Sequence, residues 1–395
     1  MHVSHRIQSL PAYVFAAIDE ARDALTKQGI EPIDFGVGDH TRPSPEIARE
    51  RVKTAVDEFA TAGYPSYVGS GAYREACAAW MQRRFGVTLD PATEICSSIG
   101  SKEAVFHMPL AFIDPGDTVL VPTPGYPPYS RGTLFAGGKT HYLPLTPEKG
   151  WLIDFDAIPN EVAQAAKMLW ICYPNSPTGV QGNRDFLEQA VRFCRDHDIL
   201  LVSDEAYTEI YFDEANKSHS ALEVEKKGVL VVQSMSKRSM MTGWRIGWVC
   251  GDPEAVAVFK KLKTNIDSGT PDFIQAGAIA ALEDETHVAE MRTAIKQARD
   301  VLAEGLVAAG LPDCRPESTL YLWQRVPDGM SSVDFAKRLL QPDLALVCTP
   351  GEWISDATAE GYNPGATYCR FALVATPEQT KEAARRLAQV SLVGG

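Results

Sequence analysis

Ser234, Ser236, Lys237 and Arg245 fall within twelve residues of one another, and the amine of Lys237 is the group among them that can do covalent chemistry. It belongs to Ser-Met-Ser-Lys-Arg-Ser-Met-Met-Thr-Gly-Trp-Arg-Ile-Gly-Trp (234–248), directly after the apolar run VLVVQ. An amine there can form a Schiff base with a carbonyl group. The Ser234 and Ser236 hydroxyls and the Arg245 guanidinium carry the donors that bind a phosphate. Three other segments also end apolar runs in polar groups. In Ser-Ile-Gly-Ser-Lys-Glu-Ala (98–104), Gly100 permits a tight turn and the amides of Ser101 and Lys102 open a helical pattern. Free amides and the helix dipole make such a start an anion site. In Tyr-Pro-Asn-Ser-Pro-Thr-Gly (173–179), two prolines and a glycine surround Asn175, whose amide can donate to a ligand oxygen. In Leu-Leu-Val-Ser-Asp-Glu-Ala-Tyr (200–207), Asp204 closes an apolar strand. A carboxylate there is costly to desolvate unless a cation meets it.

Taken singly, each has a plain structural reading: a helix cap, a rigid turn, an N-cap, a surface lysine. Together with the aromatic turn Pro-Gly-Tyr-Pro-Pro-Tyr (124–129), they supply an anion site, a stacking ring, an amide donor, a carboxylate and an amine. That is the inventory needed to hold pyridoxal 5'-phosphate.

These groups need a scaffold that brings strand ends together. TVLVP (118–122), KMLWICYP (167–174), ILLVSD (199–204) and VLVVQS (229–234) are short, apolar and non-alternating, as strands buried on both faces are. Helical patterns such as RDFLEQAVRFCRDHD (184–198) lie between them. The alternation predicts an α/β domain with a mostly parallel sheet and a ligand beyond the carboxyl ends of the strands. The last third predicts a smaller α+β domain, with a long helix from about Glu285 to Ala309, strands at 319–326, 345–349 and 367–374, and helices at 331–340 and 377–390. The predicted division is an N-terminal arm and helix at 1–44, a large domain at 45–285 and a small domain at 286–395.

Composition narrows the function. The chain has 395 residues, 45% hydrophobic and 23% charged, ordinary for a globular protein. Its net charge of −13 disfavours nucleic acid, whose phosphates need a basic surface. No apolar run reaches membrane-spanning length, and the first residues lack the pattern of a signal peptide. The eight cysteines are scattered, without Cys-x-x-Cys, and read as reduced thiols of a cytoplasmic protein rather than a metal site.

The order Gly38, GSKEA, PGYPPY, YPNSPTG, SDEAY, SMSK, GWRIGW and Tyr-Cys-Arg-Phe-Ala-Leu resembles the class I/II aminotransferases of the aspartate aminotransferase fold, over nearly the whole chain. YPSYVGSGAYREACAAWMQRRFGVTLDP (64–91), IGSKEAVFHMPLAF (99–112), LFAGG (134–138) and TNIDSG (264–269) are similar to the LL-diaminopimelate type. The tail GYNPGATYCRFALVATPEQTKEAARRLAQ (361–389) is more similar to the N-succinyl-diaminopimelate type. The resemblance implies fold type I and a homodimeric transaminase of lysine or amino-acid biosynthesis, with sites shared between subunits. Alanine-type or general amino-acid aminotransferases, and lyases or synthases on the same fold, remain alternatives. It implies that Lys237 carries the cofactor and moves the Cα proton. Asp204 pairs with the pyridine nitrogen, Asn175 and Tyr207 bond the ring oxygen, and Tyr126 stacks on the ring. Ser101, Lys102, Ser234, Ser236 and Arg245 hold the phosphate, with Tyr64 reaching across from the neighbouring subunit. Gly38 and Arg370 clamp the substrate α-carboxylate, and Tyr13 either closes over the substrate or packs. The family's usual Gly-Asp-Pro-Asp is Gly-Asp-His-Thr-Arg here. His40 and Arg42 either read a distal carboxylate or belong to a solvated loop.

Overall fold

The computed structural model describes residues 1–10 and 16–393. In chain order its strands are β1 (Ile33–Asp34), β2 (Ile95–Ser98), β3 (Thr118–Thr123), β4 (Lys139–Pro144), β5 (Ala166–Cys172), β6 (Leu200–Asp204), β7 (Val229–Ser234), β8 (Gly247–Gly251), β9 (Tyr321–Arg325), β10 (Leu346–Val347), β11 (Thr349–Pro350) and β12 (Tyr368–Ala372). Seven of them form one sheet in the order β2-β8-β7-β6-β5-β3-β4. Every neighbouring pair is parallel except those of β8, which runs antiparallel to β2 and β7. The architecture is α/β, with a mostly parallel sheet between helical layers.

The unbroken apolar runs have a direct cause. Successive strand residues face opposite sides, and here both sides are core. Leu169 and Ile171 join Trp80, Met81, Phe186 and Leu187 on one face. Met168, Trp170 and Cys172 join Val105, Met108 and Phe259 on the other. The flanking helices are capped as their sequences suggest. Ser70 Oγ accepts from the Tyr73 amide at the start of helix Gly71–Phe85, and Asn183 does the same for Phe186 in helix Arg184–Asp196.

The C-terminal third builds a second, antiparallel sheet in the order β11-β12-β9. Helices Thr286–Ala308, Ser332–Leu339 and Pro377–Leu387 accompany it. The run predicted as one strand at 345–349 is two short ones, because the chain changes partner at Cys348: β10 pairs with β1, and β11 with β12. Helix Ala16–Lys27 leads into β1, and Leu25, Ile33 and Phe35 join the core of this smaller unit. The segment after β1 joins the small sheet, where the Ala372 amide donates to the Phe35 carbonyl at 2.7 Å. All eight cysteines are free thiols, seven of them buried. No helix among the described residues is long and apolar enough to cross a membrane.

Candidate active site

A cavity of about 570 Å³ opens beyond the carboxyl ends of β5, β6 and β7. It is lined by Gly38, Ser101, Lys102, Tyr126, Asp204, Tyr207, Ser234, Ser236, Lys237, Arg245 and Arg370. These residues come from six parts of the chain, four of them at or just after the ends of strands of the large sheet that lie along one edge.

Asp204, the last residue of β6, is 4% exposed. Its Oδ2 accepts from the Tyr129 hydroxyl at 2.8 Å and its Oδ1 from the Ala206 amide at 3.2 Å. Among the described residues no cation pairs with it. Burial pushes its carboxyl up to about 6, against the pull of those two hydrogen bonds. Tyr129 is held by stacking on Trp170, with ring centroids 4.7 Å apart.

Lys237 sits in the short helical turn Met235–Arg238 after β7. Ser234 caps that turn, its Oγ accepting from the Ser236 amide at 3.1 Å. The Lys237 amine donates to the Gly38 carbonyl. On the anion side, helix Ser101–Phe112 begins at Gly100, which has φ +75°. A Cβ on Gly100 would lie 2.4 Å from a guanidinium nitrogen of Arg245. Arg245 donates to the Thr242 carbonyl at 2.7 Å, which aims its side chain at that helix start.

Arg370 lies on β12, where Nη2 donates to the Gly36 carbonyl at 2.9 Å. Its guanidinium carbon stands 4.5 Å from the ring centre of Tyr321, and its buried Nε has no partner. Tyr321 and Tyr207 share a hydrogen bond of 3.1 Å between their hydroxyls. Burial pushes the Tyr321 hydroxyl up, but the charges of Arg370 and Lys237 and the bond to Tyr207 bring it below its ordinary value. Tyr129 and Tyr321 are site residues that sequence reasoning missed. Tyr129 stood in the quoted PGYPPY turn, and Tyr321 was read only as part of a strand.

Four expected residues stand apart from this cavity. Asn175 is fully buried and satisfied locally: its amide nitrogen donates to the Cys172 carbonyl, and its oxygen accepts from Thr178. Tyr64 is 84% exposed. His40 and Arg42 line a different cavity. Tyr13 lies outside the described residues.

Gly38 is required by a close approach, since a Cβ there would come within 2.1 Å of the Tyr321 hydroxyl oxygen. Gly38→Ala should therefore lower stability by about 1–3 kcal/mol. Tyr321→Phe in the same chain should restore part of it, read as the thermal unfolding temperature of the single and double variants. No recovery would mean that the clash is not with the hydroxyl.

Residues 30–387 match the family model described as aminotransferase class I and II. The LL-diaminopimelate aminotransferase of Syntrophobacter fumaroxidans is 42% identical over 391 residues, covering 98% of both chains. That of Aquifex aeolicus is 40% identical over 392 residues, covering 98% of this chain and 99% of its own. Among solved structures, substrate-bound BacF of Bacillus subtilis superposes with a TM-score of 0.91 at 29% identity, covering 100% of this chain and 99% of its own. A probable N-succinyldiaminopimelate aminotransferase of Thermus thermophilus gives 0.85 at 30% identity, covering 95% and 99%. A lysine, a buried carboxylate and two arginines around one strand-end cavity, in a chain matched almost end to end, identify a transaminase: the chain belongs to the class I and II aminotransferases.

Proposed function

We propose that the chain is a pyridoxal 5'-phosphate-dependent transaminase, working as a cytoplasmic homodimer on an LL-diaminopimelate-like donor and a 2-oxo acid acceptor. Residues 45–285 are the cofactor-binding domain, and 286–395, joined by the N-terminal arm, the smaller one. The observation that carries the reading is Asp204, a buried carboxylate with no cation beside it among the described residues, in the same cavity as the Lys237 amine. A protonated pyridine nitrogen is the cation this site lacks. Two groups of donors fit the rest of the cofactor. The helix start at Ser101 and Lys102, with Ser234, Ser236 and Arg245, suits its phosphate. Tyr126 forms a ring-sized wall, and Tyr207 lines the same cavity with a hydroxyl for the ring oxygen.

When bound, the cofactor supplies an electron sink for the carbanion formed at the substrate Cα. Arg370 holds the α-carboxylate through its planar fork, and its unpartnered Nε is a donor left for that group. Lys237 Nζ takes the Cα proton, which requires a neutral amine. The diaminopimelate donor rests on the relatives of about 41% identity. A general amino-acid donor is favoured by one observation: Arg42 lines another cavity, away from the place where a distal carboxylate would be read.

Borohydride reduction of the holoenzyme should fix the cofactor to the peptide carrying Lys237, and Lys237→Ala should fold and lose the label. A label on another peptide would refute the assignment. The spectral change of the bound cofactor with LL-diaminopimelate, but not with alanine, separates the two donor readings.

Asp204 gives a pH test. Its folded pKa, about 6, lies above the ordinary 3.8, so ionisation opposes folding. The cost is absent at pH well below 4, grows between 4 and 6, and stands in full above 6. Asp204→Asn should therefore stabilise the cofactor-free protein at pH 7–8, by at most about 3 kcal/mol, while weakening cofactor binding. Melting curves at pH 4 and pH 8 would show it. Equal shifts at both would exclude a buried ionised carboxylate.

Shared sites give a third test, motivated by the exposure of Tyr64. Lys237→Ala and Tyr64→Ala subunits, each impaired alone, should regain activity when refolded together. A fully active monomer in sedimentation would end the dimer proposal.

A further inference from the structure

A second cavity of about 350 Å³ shares no lining residue with the one at Lys237. Its volume falls within the range of small-molecule sites. Helix Thr286–Ala308 supplies Ile295, Ala298 and Val301 to the wall, and the chain after β12 supplies Leu373, Val374 and Pro377. The loop His40–Arg42 forms one side, fastened by Thr41 Oγ1, which donates to the Val374 carbonyl at 2.5 Å.

The polar lining is one-sided in charge. Among the described residues, Arg42 and Lys381 border the cavity and no aspartate or glutamate does, in a chain whose net charge is −13. Neither side chain forms an ion pair among the described residues, and both are exposed at the rim. The uncharged polar members are Thr41, Gln297, Thr380 and His40, and the Nε2 of His40 is buried without a hydrogen-bond partner among the described residues. A buried polar atom left unpaired is costly, so a group that meets it gains more than an ordinary surface contact.

We propose that this cavity binds a small amphipathic carboxylate: a short aliphatic body against the apolar wall, with its carboxylate between Arg42, Lys381 and the His40 imidazole. An amine would face two cations. A neutral alcohol would leave both cations unmatched. Inorganic phosphate would satisfy the cations and leave the apolar wall open. Burial and the neighbouring Lys237 charge bring His40 down to about 4, so at neutral pH it is an uncharged ring able to donate from one nitrogen. The charge complementarity therefore rests on Arg42 and Lys381.

The probe is hexanoate, titrated calorimetrically into the holoenzyme, with hexylamine and hexanol as size-matched controls. Because hexanoate could also meet Arg370, the titration is repeated on Arg370→Ala. Saturable hexanoate binding should persist in Arg370→Ala. It should weaken at least about tenfold in Arg42→Ala/Lys381→Ala, and disappear in Val301→Trp, which fills the cavity. The double variant alters only exposed side chains, so the test stands even if Val301→Trp fails to fold. The proposal is overturned by any of three results: no saturable binding, binding lost in Arg370→Ala but unchanged in the double variant, or hexanol binding as tightly as hexanoate.

Discussion

A single desolvated carboxylate governs the architecture of the cavity. Asp204 must lie at the end of a central strand for its two neighbours in the sheet to remove it from water. Its register partners are Cys172 on β5 and Val232 on β7. Two donors then partly compensate it, and each makes its own demand on the fold. The Ala206 amide needs the chain to turn immediately after β6. The Tyr129 hydroxyl needs the PGYPPY turn to set a ring over Trp170, itself fully buried on β5. Packing of the aromatic layer and electrostatics of the site are thus one problem. A cavity in place of the Trp170 ring would loosen Tyr129 and raise the cost of the charge.

The adjacent Glu205 shows the opposite solution on the other side of the strand. It is equally buried, yet accepts from Ser203, Ser220, Ala221 and Gln233. All four donors come from the protein, so Glu205 is closed to ligands, whereas Asp204 keeps a side for one. Two neighbouring acids in the sequence therefore differ in role through the partners that each strand face provides.

The central strands were legible in the sequence because both of their faces are core, which leaves an unbroken apolar run. The edge strand β4 and the antiparallel β8 of the large sheet were not. β4 begins with exposed Lys139 and carries half-buried His141, so it lacks an apolar signature. β8 was hidden inside GWRIGWVCG, where glycines and a tryptophan masked a strand. Most of the site was legible for a related reason: its residues sit at strand ends or helix starts, where local composition changes abruptly. Tyr129 and Tyr321 were not, since each acts on a partner 75 or 114 positions away. Nothing near either tyrosine marks that meeting. His40 misled through proximity. It is two residues from Gly38, yet the chain turns between them, and the two line different cavities.

The segment after β1 crosses between the two sheets and is held at both ends of its span. Gly36 offers its carbonyl to Arg370, and Gly38 offers its own to Lys237. Two residues of chain reach about 7 Å at full extension, so the backbone there acts as a tether of fixed length between guanidinium and amine. An inserted residue between 36 and 38 would slip one anchor out of register, and a deletion would pull the two sheets together. Loops elsewhere on the surface can lengthen at small entropic cost. This stretch cannot, and length variation among descendants of this chain should be filtered out here even where side chains are free to change.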